Sequence, residues 1–246
     1  MNLLFLIFTL IFLGYNYLRT NAIRSTMFNL CRGPLIYSDE RINRTTESYI
    51  LKLDSTYNKI LTTSKEFSKV GSDFKKNADN LRLRTEEIIN YVQDLKIEII
   101  QVQEGPGCLA LNGRDIDVAK LTKLDEMNVS SEIMVGPNDN GKAFSLKKFI
   151  NEYKDYLIDI IKKEPVTSKN IDNTLNTEDK MISGSGNLPG HVERWEYYKF
   201  LGVSSWLVIT TLSQIQSDIR YSEAEVMSFL YNKMLVQTSQ RLMNKK

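Results

Sequence analysis

Apolar residues recur at alternating steps of four and three over long stretches of this chain. The clearest case lies at residues 201–236, where Val208, Leu212, Ile215, Ile219, Ser222, Val226, Phe229, Lys233 and Val236 fall on one line. That spacing runs a single seam along one face of a helix. Met227, Leu230 and Met234 widen the seam toward a core stripe. Ser204 or Ser205 offers an N-terminal cap, and no Gly or Pro interrupts the stretch after Gly202.

Two further seams precede it. From Ser72, the positions Phe74, Ala78, Leu81, Thr85, Ile88, Val92, Leu95, Ile99 and Val102 predict a helix that stops at Gly105-Pro106-Gly107. Before that, Gly33-Pro34 reads as a break and Ser38-Asp39-Glu40 as a helix start with acids in its first turn. Ile42, Thr46, Tyr49, Leu53, Thr56, Ile60, Thr63, Phe67 and Val70 then carry a seam weakened by its threonines, and Gly71 reads as the next break. Two seamed helices with a short connection predict an antiparallel αα-hairpin.

Residues 144–163 predict another helix, with Leu146, Phe149, Ile150, Tyr153, Leu157, Ile160 and Ile161 on one face. Lys162 and Lys163 stand where the dipole favours cations, and Pro165 follows the end. The pattern lapses elsewhere. Residues 108–141 read as irregular with a short helix near 118–127. Residues 166–190, broken by Gly184, Gly186 and Gly190, read as a mobile loop, and the polar tail from Thr238 is expected to fray. An aromatic stretch with Trp195, Tyr197, Tyr198 and Phe200 leads into the final helix, and no strand alternation of any length shows.

Residues 3–18 are apolar apart from Thr9, Gly14 and Asn16, carry no charge, and have Tyr15 and Tyr17 at one end as interfacial aromatics. The run is near the lower length limit for crossing a hydrocarbon core. A retained anchor and a cleaved signal peptide are both open, although the start lacks a basic segment and Thr20-Asn21-Ala22 is a mediocre cleavage site. Arg19, Arg24 and Arg32 follow the run, which on the positive-inside rule would place the body of the chain in the cytoplasm. The expected fold class is therefore all-α: an N-terminal transmembrane helix (residues 1–20), an antiparallel helical bundle with long seamed helices (35–240) and a polar tail (241–246).

Composition narrows the chemistry. With 246 residues, 42% of them hydrophobic, a sizeable core is available, and a net charge of +2 makes no case for nucleic acid. The single histidine, His191, rules out a His-pair metal site and leaves little room for a triad. Cys31 and Cys108 are either a disulfide or two separate thiols. Gly136-Pro137-Asn138-Asp139-Asn140-Gly141-Lys142 fits seven positions of a phosphate-binding P-loop, but Ala143 stands where Ser or Thr should hold magnesium and Asp139 brings a negative charge. An ordinary Gly-Pro-Asn loop accounts for it better. Glu86-Glu87 and Glu223/Glu225 lie among lysines and arginines and read as solvated faces. No enzyme, catalytic residue, metal or cofactor is expected.

A family likeness attaches to particular residues. Leu212-Ser213-Gln214-Ile215-Gln216-Ser217-Asp218-Ile219-Arg220, followed by Ser222-Glu223-Ala224-Glu225-Val226, resembles the first periplasmic domain of the GldM/PorM proteins of Bacteroidetes. Tyr91-Val92-Gln93-Asp94-Leu95-Lys96, the loop from Met134 to Lys142, and the run through Leu146-Lys147-Lys148 to Tyr153 agree with it. Within this likeness Gln216, Asp218, Arg220, Glu223 and Glu225 form the family-motif helix.

The resemblance implies a single-pass protein of the bacterial inner membrane with its helical domain in the periplasm. It implies a homodimer whose membrane helices sit in a ring of a GldL/PorL-like protein, a proton-driven motor of gliding motility and type IX secretion, with other periplasmic secretion components as partners. Membrane lipid would surround the anchor, where Thr9 and Asn16 are the candidate partner contacts. The family continues into β-sandwich domains, so the sequence to Lys246 is expected to be a fragment, a reduced version or a divergent relative. The alternative is a secreted helical binding protein with a cleaved signal peptide.

Overall fold

In the computed structural model, residues 2–117, 120–123, 125–183 and 191–243 are described. The chain divides into two units, residues 1–40 and 41–246.

The first unit is the opening part of helix α1 (Asn2–Glu66). The expected break at Gly33-Pro34 and restart at Ser38 do not occur, and the helix continues through both. Proline removes one amide donor and adds a clash costing about 3 kcal/mol, which a helix of many turns can carry. Leu13, Tyr15, Tyr17, Leu18 and Tyr37 are exposed. Among the described residues, no helix is long and apolar enough to cross a membrane. The side chains of residues 2–12, including Thr9, and that of Cys31 lie outside the description.

The second unit is built on helices. The later part of α1 turns at Phe67 into α2 (Ser68–Glu104), so the reversal comes four residues before the expected Gly71. Gly71 sits inside α2, where a Cβ would lie 2.3 Å from Ser64 Cα. Its lack of a side chain lets the two helices approach closely. The predicted α2 seam is the observed core face over most of its length: Ala78, Leu81, Thr85, Ile88, Val92, Leu95 and Ile99 are all buried, but its last position, Val102, is exposed. On α1 the strongest positions are Leu53 and Ile60.

Helix α3 (Asn128–Met134) replaces the helix expected near 118–127; of that stretch Val118, Ala119 and Leu124 lie outside the described residues. Helix α4 (Lys142–Ile160) buries Leu146, Ile150, Tyr153 and Leu157. Lys162 and Lys163 end it in left-handed conformations, φ 55° and 58°, and do not lie in its last turn. Beyond them the expected loop holds helix α5 (Pro165–Thr174). Glu164 accepts hydrogen bonds from the Val166 and Thr167 amides and Pro165 occupies the first turn, so cap and proline start a helix that has little apolar periodicity.

A two-stranded antiparallel ribbon corrects the strandless expectation. β1 (Lys180–Ile182) pairs with β2 (His191–Glu193) in the register Lys180–Glu193, Met181–Val192 and Ile182–His191. Strands of three residues are too short to show alternation. Residues 184–190, the remainder of the expected loop, lie outside the description.

α6 (Trp195–Phe200) leads to α7 (Ser205–Met243). Ser205 does not cap α7 with its side chain: its hydroxyl and its amide both donate to the Glu126 carbonyl, at 2.9 and 2.8 Å. Nor does the chain fray from Thr238, which is buried and donates to the Met234 carbonyl at 2.7 Å. From Ser205 to Leu230, α7 is enclosed on nearly every side. It packs along α2, with α4 and α5 also against it. Among the described residues the fold is thus all-α apart from the small ribbon.

Candidate functional site: the polar spine of α7

A helix enclosed on nearly every side must bury most of what its sequence places there, and α7 buries small polar residues, Ser205, Ser213, Ser217 and Ser222, together with two charges. Arg220 is 9% exposed and Glu223 fully buried. These are two of the residues singled out in the family-motif helix, and the reading of Glu223 as solvated is corrected here, whereas Glu86 does lie on an exposed face. Arg220 Nη1 donates to Glu223 Oε2 at 2.9 Å, and Nη2 donates to Glu86 Oε1 of α2 at 2.6 Å. The guanidinium therefore joins an interior carboxylate to one at the rim, the planar fork geometry suited to two acids at once.

Glu223 Oε1 is buried without a hydrogen-bond partner. Burial pushes the Glu223 carboxyl up to about 7, against the opposing pull of Arg220. Next to it stands Tyr153 of α4. Burial, reinforced by the Glu223 charge, raises its phenol well above the usual range. Tyr153 and Thr85 of α2 are 2.8 Å apart. The Thr85 hydroxyl already donates to the Leu81 carbonyl, so Tyr153 is the donor to Thr85.

The other members of the motif helix take different places. Half-buried Gln216 donates to the Ile89 carbonyl at 3.2 Å and to Gln93 Oε1 at 3.3 Å, and accepts from buried Lys96 at 3.2 Å. Lys96 also donates to Ser213 Oγ at 2.8 Å. Glu225 faces α1, paired with Lys52 at 3.2 Å, beside an edge-on contact between Tyr221 and Tyr49 at 5.3 Å. Asp218 is half-buried and accepts from Gln214 Nε2 at 2.8 Å. Arg220 with Glu223, Gln216 and Glu225 thus form a polar spine linking α7 to α2 and α1. Tyr153 of α4 bonds to Thr85 of α2, and among the described residues Asp218 is bonded only within α7. Asn16, the other candidate contact, lies in the first unit, where its carbonyl accepts from the Thr20 hydroxyl at 2.8 Å.

Glu86, Lys96, Thr85 and Tyr153 were missed as site residues. A threonine and a tyrosine on otherwise apolar seams, and serines on the core side of α7, were the signal for a buried polar layer.

The loop from Gly136 to Lys142 has no P-loop geometry. It follows helix α3, not a strand, and Gly141 packs so tightly that a Cβ would stand 2.3 Å from the Met134 carbonyl oxygen. Lys142 pairs with Glu98. Asp139 binds Arg194 at 2.6 Å and accepts from the Tyr197 hydroxyl; that hydrogen bond and the nearby guanidinium hold its carboxyl below the usual range. The loop staples α6 and α2 to the rest of the unit. Cys108 is a buried free thiol.

No curated relative matches the chain. Residues 36–233, which contain the whole α7 spine, match the family model described as the GldM N-terminal domain. The chain accordingly belongs to the GldM/PorM family of gliding-motility and type IX secretion components.

Proposed function

We propose that this chain is a non-enzymatic, single-pass subunit of the bacterial inner membrane that acts in the gliding-motility and type IX secretion motor. Residues 1–20 form its anchor and the second unit stands in the periplasm as an antiparallel helical bundle. In this reading it dimerises and its anchor sits within a GldL/PorL-like ring in lipid. Movement of that ring passes through the helices to other periplasmic secretion components. Thr9 and Asn16 contribute interhelical hydrogen bonds of about 0.6 kcal/mol each.

The observation that carries this reading is the bracing of α7. Part-buried polar links tie it to α2 through Arg220 and Gln216, and an exposed ion pair ties it to α1 through Glu225. A transmission element must resist bending and sliding. Directional hydrogen bonds between helices oppose sliding in a way that apolar packing, which is non-directional, does not.

Extraction in mild detergent tests the proposal. A multi-span membrane protein should co-purify with a dimer of this chain, and a monomer recovered without such a partner would sink it. Mass spectrometry of the mature N-terminus separates anchoring from secretion. Retained Met1 accords with an anchor, whereas a terminus near Ile23 favours a secreted binding protein.

A further inference from the structure

Asp218 opens on a cavity of about 350 Å³ within the second unit. Ile150, Trp195 and Ile215 give it an apolar wall, and Lys199, Thr210 and Asp218 bring polar groups to it. Each of these three is short of partners. Gln214 is the only hydrogen-bond donor to the Asp218 carboxylate among the described residues. Lys199 forms no ion pair among them, its ammonium lying 5.9 Å from the centre of the Tyr198 ring. Thr210 is 9% exposed, and its buried hydroxyl has no hydrogen-bond partner.

Asp218 and Lys199 line one cavity but do not close into a salt bridge. Charges withdrawn from water are costly unless paired, and both groups register the deficit. Burial raises the Asp218 carboxyl to about 6, although Gln214 and Lys199 oppose it. Burial, then the charge of Lys180, lowers the Lys199 ammonium. A ligand carrying one charge of each sign would compensate both groups, whereas a simple cation or anion would meet a like charge on one side.

We propose that this cavity binds a small zwitterion of the amino-acid class, with its ammonium on Asp218, its carboxylate on Lys199 and the Thr210 hydroxyl, and an apolar side chain against Ile150, Trp195 and Ile215. The volume lies within the usual range for small-molecule sites, roughly 300–1,000 Å³. Because Lys199 is on α6 and Asp218 on α7, occupancy ties the two helices together. The assignment does not depend on the motor role.

Calorimetric titration of the full chain in detergent with leucine tests it. Saturable one-to-one binding is expected, weakened at least about tenfold by Asp218→Asn and by Lys199→Gln, and less by Thr210→Val. Leucinamide, which lacks the carboxylate, and 4-methylpentanoate, which lacks the ammonium, should each bind at least about tenfold more weakly than leucine. Asp218→Asn removes a half-buried charge that closes no salt bridge, so its unfolding transition should be no lower than the parent's and loss of binding is not loss of fold. No saturable heat with leucine at ~10 mM, equal affinity for leucinamide, or unchanged binding in Asp218→Asn overturns the assignment.

Discussion

Glu223 is the residue on which α7 differs most from an ordinary core helix. Its carboxyl is raised from 4.5 to about 7 by burial, despite Arg220. A group that holds its proton more tightly when folded contributes fully below its ordinary pKa, and that contribution is lost as pH rises through the folded value. Asp218, raised from 3.8 to about 6, acts in the same sense. Asp79, Asp139 and Asp179 are held low, so what they contribute is lost only in more acidic solution. Unfolding free energy from chemical denaturation should therefore fall as pH rises from about 5 to 8, by on the order of 3 kcal/mol from Glu223. Glu223→Gln should flatten the profile and exceed the parent in stability at the alkaline end. A parent profile that is level or climbs over this range contradicts the assignment. The charge types of this residue and its neighbours were readable in the chain. The burial of Glu223 and Arg220 was not, because it depends on contacts distant in sequence, as Arg220 and Glu86 meeting across 134 positions shows.

Among the elements, the turn between α1 and α2 is the most demanding. The reversal at Phe67 is closed by Gly71, whose amide donates to the Phe67 carbonyl at 2.9 Å while its Cα faces Ser64. Gly71→Ala should gain about 1 kcal/mol of helix propensity and lose more to overpacking, typically about 1–3 kcal/mol. The net effect in urea denaturation should be destabilising. Gly107→Ala is the control, since a Cβ there meets nothing within 4 Å. Equal stability of the two variants would show that the close approach at Ser64 does not constrain the turn. The glycine was visible in the sequence as a discontinuity, but glycine marks both chain breaks and close helix crossings, and the pattern alone does not choose. α5 shows the same ambiguity in reverse: its Glu164-Pro165 start is plain, yet Ile171 is its sole buried residue, so no apolar stripe marked it as a helix.

At the scale of the whole second unit, α7 is the common partner of the others. Its amides from Ser205 to Leu230 should exchange with solvent only on global unfolding, and those of the exposed β1–β2 ribbon much sooner through local opening. Hydrogen-exchange mass spectrometry checks this, and α7 exchanging as fast as the ribbon would remove it from the centre of the unit. The helical class, the α2 seam, its stop at Gly105 and the family likeness of α7 were all legible from residue spacing, because helix periodicity and turn chemistry are local properties of the chain. The enclosure of α7, the burial of Arg220 and Glu223, the close pass at Gly71 and the cavity beside Asp218 depend on which helices meet. A seam shows that a helix has a buried face but not how many neighbours cover the others. Where neighbours cover nearly all of them, as around α7, polar residues that read as a solvated side become the interior links of the fold.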